Sequence, residues 1–257
     1  MEKITILGAY GTKGPHQETS SFLINKAHVI DAGNLLRSLD EEAAEINTIW
    51  ITHSHLDHII DIAYILDSYY TLRTKSLKLM GLPATLEAIQ KHFLNDFLWP
   101  DFSKIPLFNV DAMSLVYEPI ELGKKYIIDE NTSIEAMQTV HTVPSCGYIV
   151  RKNERAVLVT SDTYKNPLLS KTIEKYPEIS ALVLECSFPS QMSELAFESL
   201  HLTPALVEEE VLGIKRPLKL YINHLKPTFI EQIKKEIYST PVLKDAIILD
   251  DGDTIYF

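Results

Sequence analysis

Apolar residues in this chain gather in short runs separated by turn residues. Ile4-Thr5-Ile6-Leu7-Gly8, Ser21-Phe22-Leu23-Ile24 and Val29-Ile30 succeed one another across a loop with Gly11, Gly14 and Pro15 and a turn at Lys26. Three short strands joined in this way read as an antiparallel meander. Leu35 to Ile46, rich in Leu, Ala and Glu, predicts a helix. Thr48 to Ile51 is β-branched and aromatic and predicts a buried strand. Ile59 to Tyr70 then has helical character, Leu77 to Met80 reads as a strand, and Pro83 to Phe97 as a helix opened by its proline. From Leu115 onward strand-like runs recur at Tyr126 to Ile128, Ser133 to Val140, Tyr148 to Val150, Ala156 to Thr160, Ala181 to Leu184, Lys219 to Ile222 and Ala246 to Leu249. Helices fit Pro167 to Tyr176, Thr203 to Leu212 and Thr228 to Tyr238, and Asp251-Gly252 is a hairpin signal before a last strand, Thr254 to Phe257. Phe97 to Phe108 is dense in aromatics and prolines and reads as a compact excursion with its own local core. With no linker-like stretch, 1–257 is expected to form one domain, carrying a helical and aromatic excursion at about 83–108.

Composition narrows the class. At 257 residues, with 46% hydrophobic and 23% charged residues, the chain resembles a soluble globular protein able to bury a substantial core. No run approaches ~18 apolar residues, so no membrane span is expected. The start, Met1-Glu2-Lys3-Ile4-Thr5, enters a strand-like run at once, which predicts no signal peptide and a cytoplasmic location. Cys146 and Cys186 form no C-x-x-C pair and are expected to be small buried hydrophobes. A net charge of -11 argues against a nucleic-acid partner, which a basic face would attract. A small anionic substrate stays open if divalent cations supply local positive charge.

The chemistry concentrates where the Thr48 to Ile51 run stops. Thr52-His53-Ser54-His55-Leu56-Asp57-His58 places three histidines and an aspartate within six residues. Such a cluster at the end of a buried strand needs partners, and a metal ion is one; a solvated His-rich turn is the bland alternative. His53 and His55 lie two apart and face one side of an extended chain, so they can share an ion. Asp57 and His58 follow where the chain turns toward a helix and could aim at a second ion. Other apolar runs end in potential ligands too: Val140-His141, Ser161-Asp162 after Val157 to Thr160, and Asn223-His224. A lone histidine at a strand end is more often structural, but strand ends are where α/β proteins build sites, and together these residues form a set.

This set resembles the metallo-β-lactamase fold. The resemblance implies an α/β protein, a metallo-β-lactamase-type four-layer αββα sandwich with a pseudo-twofold arrangement of two halves. It implies two divalent metal ions, most commonly Zn²⁺, with Mn²⁺ or Fe as alternatives. His53, His55 and His141 would hold the first, Asp57, His58 and His224 the second, and Asp162 would bridge them. More narrowly, His53 to Ile59, Leu98-Trp99-Pro100-Asp101 and Ile222-Asn223-His224-Leu225-Lys226-Pro227 are similar to the class II cyclic-nucleotide phosphodiesterases. Leu184-Glu185-Cys186-Ser187-Phe188 with Ser199-Leu200-His201-Leu202-Thr203 resembles the Glu and His-x-Thr elements of the phosphodiesterase branch, which includes the tRNA 3′-processing ribonucleases. Two features depart from the pattern: Asp61 stands where many relatives carry Gly, and the loop from Gly8 to Gly14 is not the usual double-Gly form.

The resemblance implies a binuclear phosphodiesterase that converts 3′,5′-cyclic nucleotides, cAMP or cGMP, to 5′-monophosphates through a metal-bridging hydroxide. Asp57 would hydrogen-bond the attacking oxygen. His201 would be the general acid, oriented by Glu185, whose charge would raise its pKa. Alternatively Glu185 binds backbone amides and His201 opens a helix capped by Thr203. Candidate substrate contacts are Trp99, which could stack a purine, Thr203, and Lys226, which could offset phosphate charge. His16, His28 and His92 match no ligand position and read as surface or packing residues. The expected partner is a small cyclic nucleotide, with neither membrane nor nucleic acid, and an exposed apolar face on 83–108 would support a homodimer. Rival readings are a tRNA 3′-processing endoribonuclease, a non-enzymatic nucleotide-binding sensor or scaffold, and a thioester or lactone hydrolase.

Overall fold

In the computed structural model, which describes residues 2–108 and 110–257, the chain forms two seven-stranded sheets. The first half contributes strands β1 (Lys3–Gly8), β2 (Ser21–Asn25), β3 (His28–Ile30), β4 (Thr48–Trp50), β5 (Leu77–Gly81) and β6 (Leu115–Pro119). It also holds helices α1 (Leu36–Leu39), α2 (Leu56–Ser68) and α3 (Pro83–His92). The second half contributes β7 (Lys125–Ile127), β8 (Thr132–Gln138), β9 (Cys146–Lys152), β10 (Arg155–Val159), β11 (Ile179–Glu185), β12 (Lys219–Asn223), β13 (Ile247–Ile248) and β14 (Thr254–Tyr256). Its helices are α4 (Leu169–Lys175), α5 (Ser193–Ser199), α6 (Pro204–Leu212) and α7 (Ile230–Ser239).

The sheet orders are β14-β1-β2-β3-β4-β5-β6 and β13-β12-β11-β10-β9-β8-β7. In the first, the pairs from β14 to β3 are antiparallel and those from β3 to β6 parallel. In the second, the pairs from β7 to β10 are antiparallel and those from β10 to β13 parallel. This repetition is the expected pseudo-twofold arrangement.

Period-two alternation sorts the side chains into layers. Ile4, Ile6, Phe22, Ile24 and Trp50 of the first sheet share a core with Ile134, Tyr148, Val150 and Val157 of the second. That core also takes in Leu169 and Ile173 of α4, Val207 of α6 and Ile233 and Ile237 of α7. The opposite face of the first sheet, with Leu7, Val29, Ile49 and Leu79, packs with Ile59, Ile62 and Leu66 of α2 and Leu86 and Ile89 of α3. Residues three and four apart on those helices line one stripe, so each helix covers its sheet with a single face. The result is helices, sheet, sheet, helices.

Several boundaries differ from the expectations. The helix expected over Leu35 to Ile46 is one turn, α1, followed by a 3₁₀ segment at Asp40–Glu45. The chain breaks at Asp40, which has φ 47°, and the redirected segment buries Ala43 and Ile46. The helix expected to reach Phe97 stops at His92. There the Asn95 side chain accepts from the N–H groups of Phe97 (3.1 Å) and Leu98 (2.8 Å), and Asp96, at φ 64°, accepts from Asp101 N–H. Such local side-chain bonds compete with the helix. Phe97 is consequently 97% exposed, while Phe93, Leu94 and Phe102 are buried, so only part of the aromatic excursion is core. Asp251-Gly252 does not close a hairpin. β13 pairs with β12 in the second sheet and β14 with β1 in the first, so this turn, with Gly252 at φ 88°, carries the chain between sheets. The short helix α5 was not foreseen. Cys146 and Cys186 are buried and free, as expected. Among the described residues no helix is long and apolar enough to cross a membrane.

Asp61 gains a role from this packing. Its carboxylate accepts from the N–H groups of Leu35 (2.6 Å) and Leu36 (3.0 Å), the first donors of α1. Asp61→Ala leaves them without that partner and is expected to lower stability by about 1–3 kcal/mol. In urea unfolding this should appear as a lower midpoint at unchanged slope.

Candidate active site

Most candidate residues lie just past the C-terminal ends of β4, β8, β10, β11 and β12. After β4, Thr52 turns the chain: its N–H donates to Asp31 Oδ1 (2.8 Å) and its hydroxyl to Asp31 Oδ2 (2.8 Å). His53 and His55 come next, and His141 arrives from the end of β8. His53 Nε2 is 3.1 Å from His55 Nδ1, which is 3.2 Å from His141 Nε2. Asp162 Oδ2, on the loop after β10, is 3.7 Å from both His53 Nε2 and His141 Nε2. Four ligand atoms around a tetrahedral ion with bonds of ~2.0–2.2 Å are separated by roughly 3.3–3.6 Å, so the spacing fits. His141 Nδ1 donates to Leu200 O (3.2 Å) and His53 Nδ1 lies 3.0 Å from Thr52 Oγ1, which leaves the facing nitrogens free for a cation.

A second cluster adjoins the first. Because α2 starts at Leu56, Asp57 and His58 project from its first turn. His58 Nε2 is 3.7 Å from Asp57 Oδ2 and 3.4 Å from Asp162 Oδ1. His224 Nε2, from the loop after β12, is 3.5 Å from Asp57 Oδ2 and 3.0 Å from Asp162 Oδ1. Asp162 therefore turns one oxygen toward each cluster. His58 Nε2, His224 Nε2 and Asp162 Oδ1 are buried without an aligned hydrogen-bond partner. A divalent cation is the partner that would satisfy all three.

Burial and charge act differently on the two clusters. Burial lowers His53 well below the ordinary imidazole range, lowers His55, and brings His141 to about 4, with the Asp162 carboxylate opposing each. For His58 and His224 burial also disfavours the charge, but Asp162 and the carboxylates around it prevail: His58 is raised well above its usual value and His224 to about 9. Burial would raise Asp57 and Asp162, yet His58 and His224 hold both carboxyls below the usual range.

Beside both clusters lies a third group. The Glu185 carboxylate, at the end of β11, is fully buried. Its Oε1 accepts from His201 Nδ1 (2.7 Å) and Thr163 N–H (3.1 Å). Its Oε2 accepts from the Ser187 hydroxyl (2.9 Å) and Leu202 N–H (3.2 Å). Glu185 thus bonds backbone amides and His201 Nδ1 at once. The His201 ring stacks on His224 at 5.4 Å between centroids and lies 5.0 Å from His141, touching a member of each cluster.

The expected substrate contacts fare differently. Thr203 is buried, and its hydroxyl accepts from Leu206 N–H (3.4 Å) as the cap of α6, ahead of Pro204. The structure gives this side chain a role as the helix cap. Lys226 donates to the Gly11 carbonyl, tying the first loop to the His224 loop. Trp99 is half-buried and packs edge-on against Tyr64 of α2 at 5.7 Å. His16 and His92 are exposed, and His28 stacks on Trp50.

Several working residues were not assigned from the sequence: Asp31, which is 2.7 Å from His58 Nδ1, together with Thr52, Ser161, Ser187 and the Leu200 carbonyl. Asp31 had a signal, since it ends an apolar run just as Asp162 does. Among the described residues seven non-glycines have positive φ, and Asp31 (58°), Ser161 (56°), Leu200 (53°) and His224 (64°) are four of them. Such conformations cost about 1–3 kcal/mol each and tend to persist at functional sites.

The profile of the class-II cAMP phosphodiesterases matches residues 15–242. The chain belongs to this family. Membership makes it a phosphodiester hydrolase by family. The 3′,5′-cyclic-nucleotide phosphodiesterase 1 of Saccharomyces cerevisiae is 32% identical over 255 residues, an alignment covering 91% of this chain and 67% of the yeast protein. Ribonuclease Z of Methanococcus maripaludis is 30% identical over 160 residues, covering 58% of this chain and 48% of that protein. In fold, the chain matches unliganded yeast PDE1 with a TM-score of 0.80 at 19% identity, covering 99% of each chain. The metallo-beta-lactamase fold protein YhfI of Bacillus subtilis matches with a TM-score of 0.78 at 18% identity, again covering 99% of each. The expected fold is therefore the observed one, and the His and Asp clusters of this family member are suited to divalent metal ions.

Close packing at Gly11 offers a test of the second cluster. A Cβ there would stand 2.5 Å from His224 Nδ1 and 2.7 Å from the His224 carbonyl. Gly11→Ala is expected to push the imidazole off Asp162 and weaken uptake of a divalent ion by at least about tenfold. Metal content after dialysis at fixed free Zn²⁺ is the measurement; unchanged content would contradict the packing account.

Proposed function

We propose that this phosphodiesterase hydrolyses 3′,5′-cyclic nucleotides to 5′-monophosphates at a two-ion centre. The observation that carries the proposal is the Glu185–His201 pair set against both clusters, since hydrolysis of a phosphodiester needs an acid for the leaving alkoxide beside the ions that activate water. His53, His55 and His141 would hold the first ion, Asp57, His58 and His224 the second, and Asp162 both. Nitrogen and carboxylate donors at tetrahedral spacing suit Zn²⁺. When bound, two such ions supply a nucleophile at neutral pH and neutralise charge on the phosphoryl oxygens.

The chain's own residues would do the rest. Asp57, whose side chain is 24% exposed at the mouth of the second cluster, is placed to accept a hydrogen bond from the attacking water. As the oxygen of a hydroxide, the water having released one proton to solvent, bonds to phosphorus, the P–O3′ bond breaks and His201 Nε2 gives its proton to O3′. Glu185 fixes the ring through Nδ1, so that Nε2 is the nitrogen left for the substrate. Purified protein should release 5′-AMP or 5′-GMP from cAMP or cGMP, and chelation should abolish the release. Failure with both nucleotides defeats the proposal. His201→Ala should lower kcat by about 10²–10⁴-fold with little change in metal content.

A second reading, a tRNA 3′-processing endoribonuclease, is supported by the 30% identity to ribonuclease Z. The net charge of -11 opposes it, because binding a polyanion relies on basic contacts to phosphates. Precursor tRNA cleaved faster than cyclic nucleotide would favour this reading.

Loading of the two clusters should separate by pH. His224, raised to about 9, is protonated below that pH in the metal-free protein, so an ion entering the second cluster must displace the proton. His141, lowered to about 4, is neutral until the pH falls that far. Affinity of the second cluster should thus fall as pH drops from about 9, while the first keeps its ion to near pH 5. As pH falls from 9 to 5, metal stoichiometry should step from two to one.

A further inference from the structure

We infer that Ser187 is a positioning residue that couples the second metal cluster to the acid pair. This inference rests on the proposed two-ion phosphodiesterase and extends it to a side chain outside both the ligand set and the acid pair. Ser187 is fully buried, two residues past the end of β11. Its Oγ lies 2.9 Å from Glu185 Oε2, 3.0 Å from His224 Nδ1 and 3.2 Å from His201 Nδ1. The three groups it joins are the orienter of the acid, a ligand of the second ion and the acid itself.

A hydroxyl has one proton to give and two lone pairs. The Glu185 carboxylate can only accept, as can the His224 carbonyl at 3.2 Å, and the shorter bond, to the carboxylate Oε2, takes the Ser187 proton. With that proton committed, the oxygen accepts, and His224 Nδ1 must be the donor. The proton of a neutral His224 is thereby fixed on Nδ1, and the Nε2 lone pair is left facing Asp162 and Asp57, where the ion would bind. On the other side, the bond from Ser187 completes the carboxylate's set of four: His201 and Thr163 on Oε1, Ser187 and Leu202 on Oε2. The Glu185 plane, and with it the direction of His201 Nε2, is set by the same hydroxyl that sets the His224 tautomer.

The test separates this role from a merely structural one. Ser187→Ala is expected to remain folded by circular dichroism. Titrated with Co²⁺ after removal of metal, it should show the first binding event unchanged and the second weakened about 10–100-fold. With metal saturating, kcat for cyclic nucleotide should fall at least tenfold while KM changes little, and Ser187→Thr, which keeps the hydroxyl, should restore most of both. Two equal binding events as in wild type, with kcat within twofold, would overturn the inference. A wild-type measurement stands even if the variants fail to fold: in the Zn²⁺-loaded protein, long-range ¹H–¹⁵N spectra should show His224 with its proton on Nδ1. A proton on Nε2 instead would overturn the inference. Wild-type protein that leaves cyclic nucleotides intact would defeat the proposed function, whereas active wild type with an unaffected Ser187→Ala would defeat only the role of Ser187.

Discussion

The buried carboxylate of Asp162 is the constraint around which the rest is arranged. Imidazoles of His53, His58, His141 and His224 all lie within 3.7 Å of its oxygens. An ionised carboxylate cannot be buried without compensation, and here the compensating charge depends on what occupies the clusters. Without a metal the carboxylates around His58 and His224 raise both imidazoles and favour their protonated forms, while burial lowers His53, His55 and His141. A divalent cation in the second cluster would replace those two protons with the same charge. Metal uptake at the second cluster would therefore be a proton exchange within a preformed cage, and it should stabilise the fold by mass action.

That cage arises from the repeated architecture. Each sheet passes from antiparallel to parallel pairing at its middle strand, β3 in one and β10 in the other. The loops after these equivalent strands each deliver an aspartate next to a positive-φ turn: Asp31 itself, and Asp162 after Ser161. Asp31 holds His58 by Nδ1 at 2.7 Å, and Asp162 faces its Nε2 at 3.4 Å. One imidazole is thus clamped between a carboxylate from each half. The equivalent strands β4 and β11 supply different chemistry: β4 runs into the His53 to His58 ligands, whereas β11 ends in Glu185 and leads to Ser187.

The fold and the ligands were largely legible because they are written in patterns of residue type. Strand runs, the helical stripe of α2 and the H-x-H-x-D-H spacing all survive without coordinates, and so do the strand-end positions of His141, Asp162 and His224. What failed were features decided by local side-chain bonds to the backbone. Asn95 and Asp96 end α3 early, Asp40 breaks the helix after α1, and the Asp251-Gly252 turn joins two sheets because β1 offers a free edge to β14. Thr203 illustrates the same limit at the site: a hydroxyl beside such a motif reads equally as a substrate contact or a cap, and only the bond from Leu206 N–H reveals the cap.

The residues that orient the site were illegible for a further reason. Orientation is supplied by groups with no distinctive pattern: the Leu200 carbonyl under His141, the Thr52 hydroxyl beside His53, the Ser187 hydroxyl under His224. A carbonyl belongs to every residue, and isolated Ser and Thr are common, so spacing cannot single them out. Their placement depends on backbone turned to positive φ at Leu200 and His224, conformations that leucine and histidine adopt only against a cost. That cost is sustained by the packing on either side, with the Leu202, Cys186 and Leu225 side chains of these loops fully enclosed in the core. Ligand direction at this site is thus a property of the tertiary fold, held by buried apolar neighbours that carry no chemistry of their own.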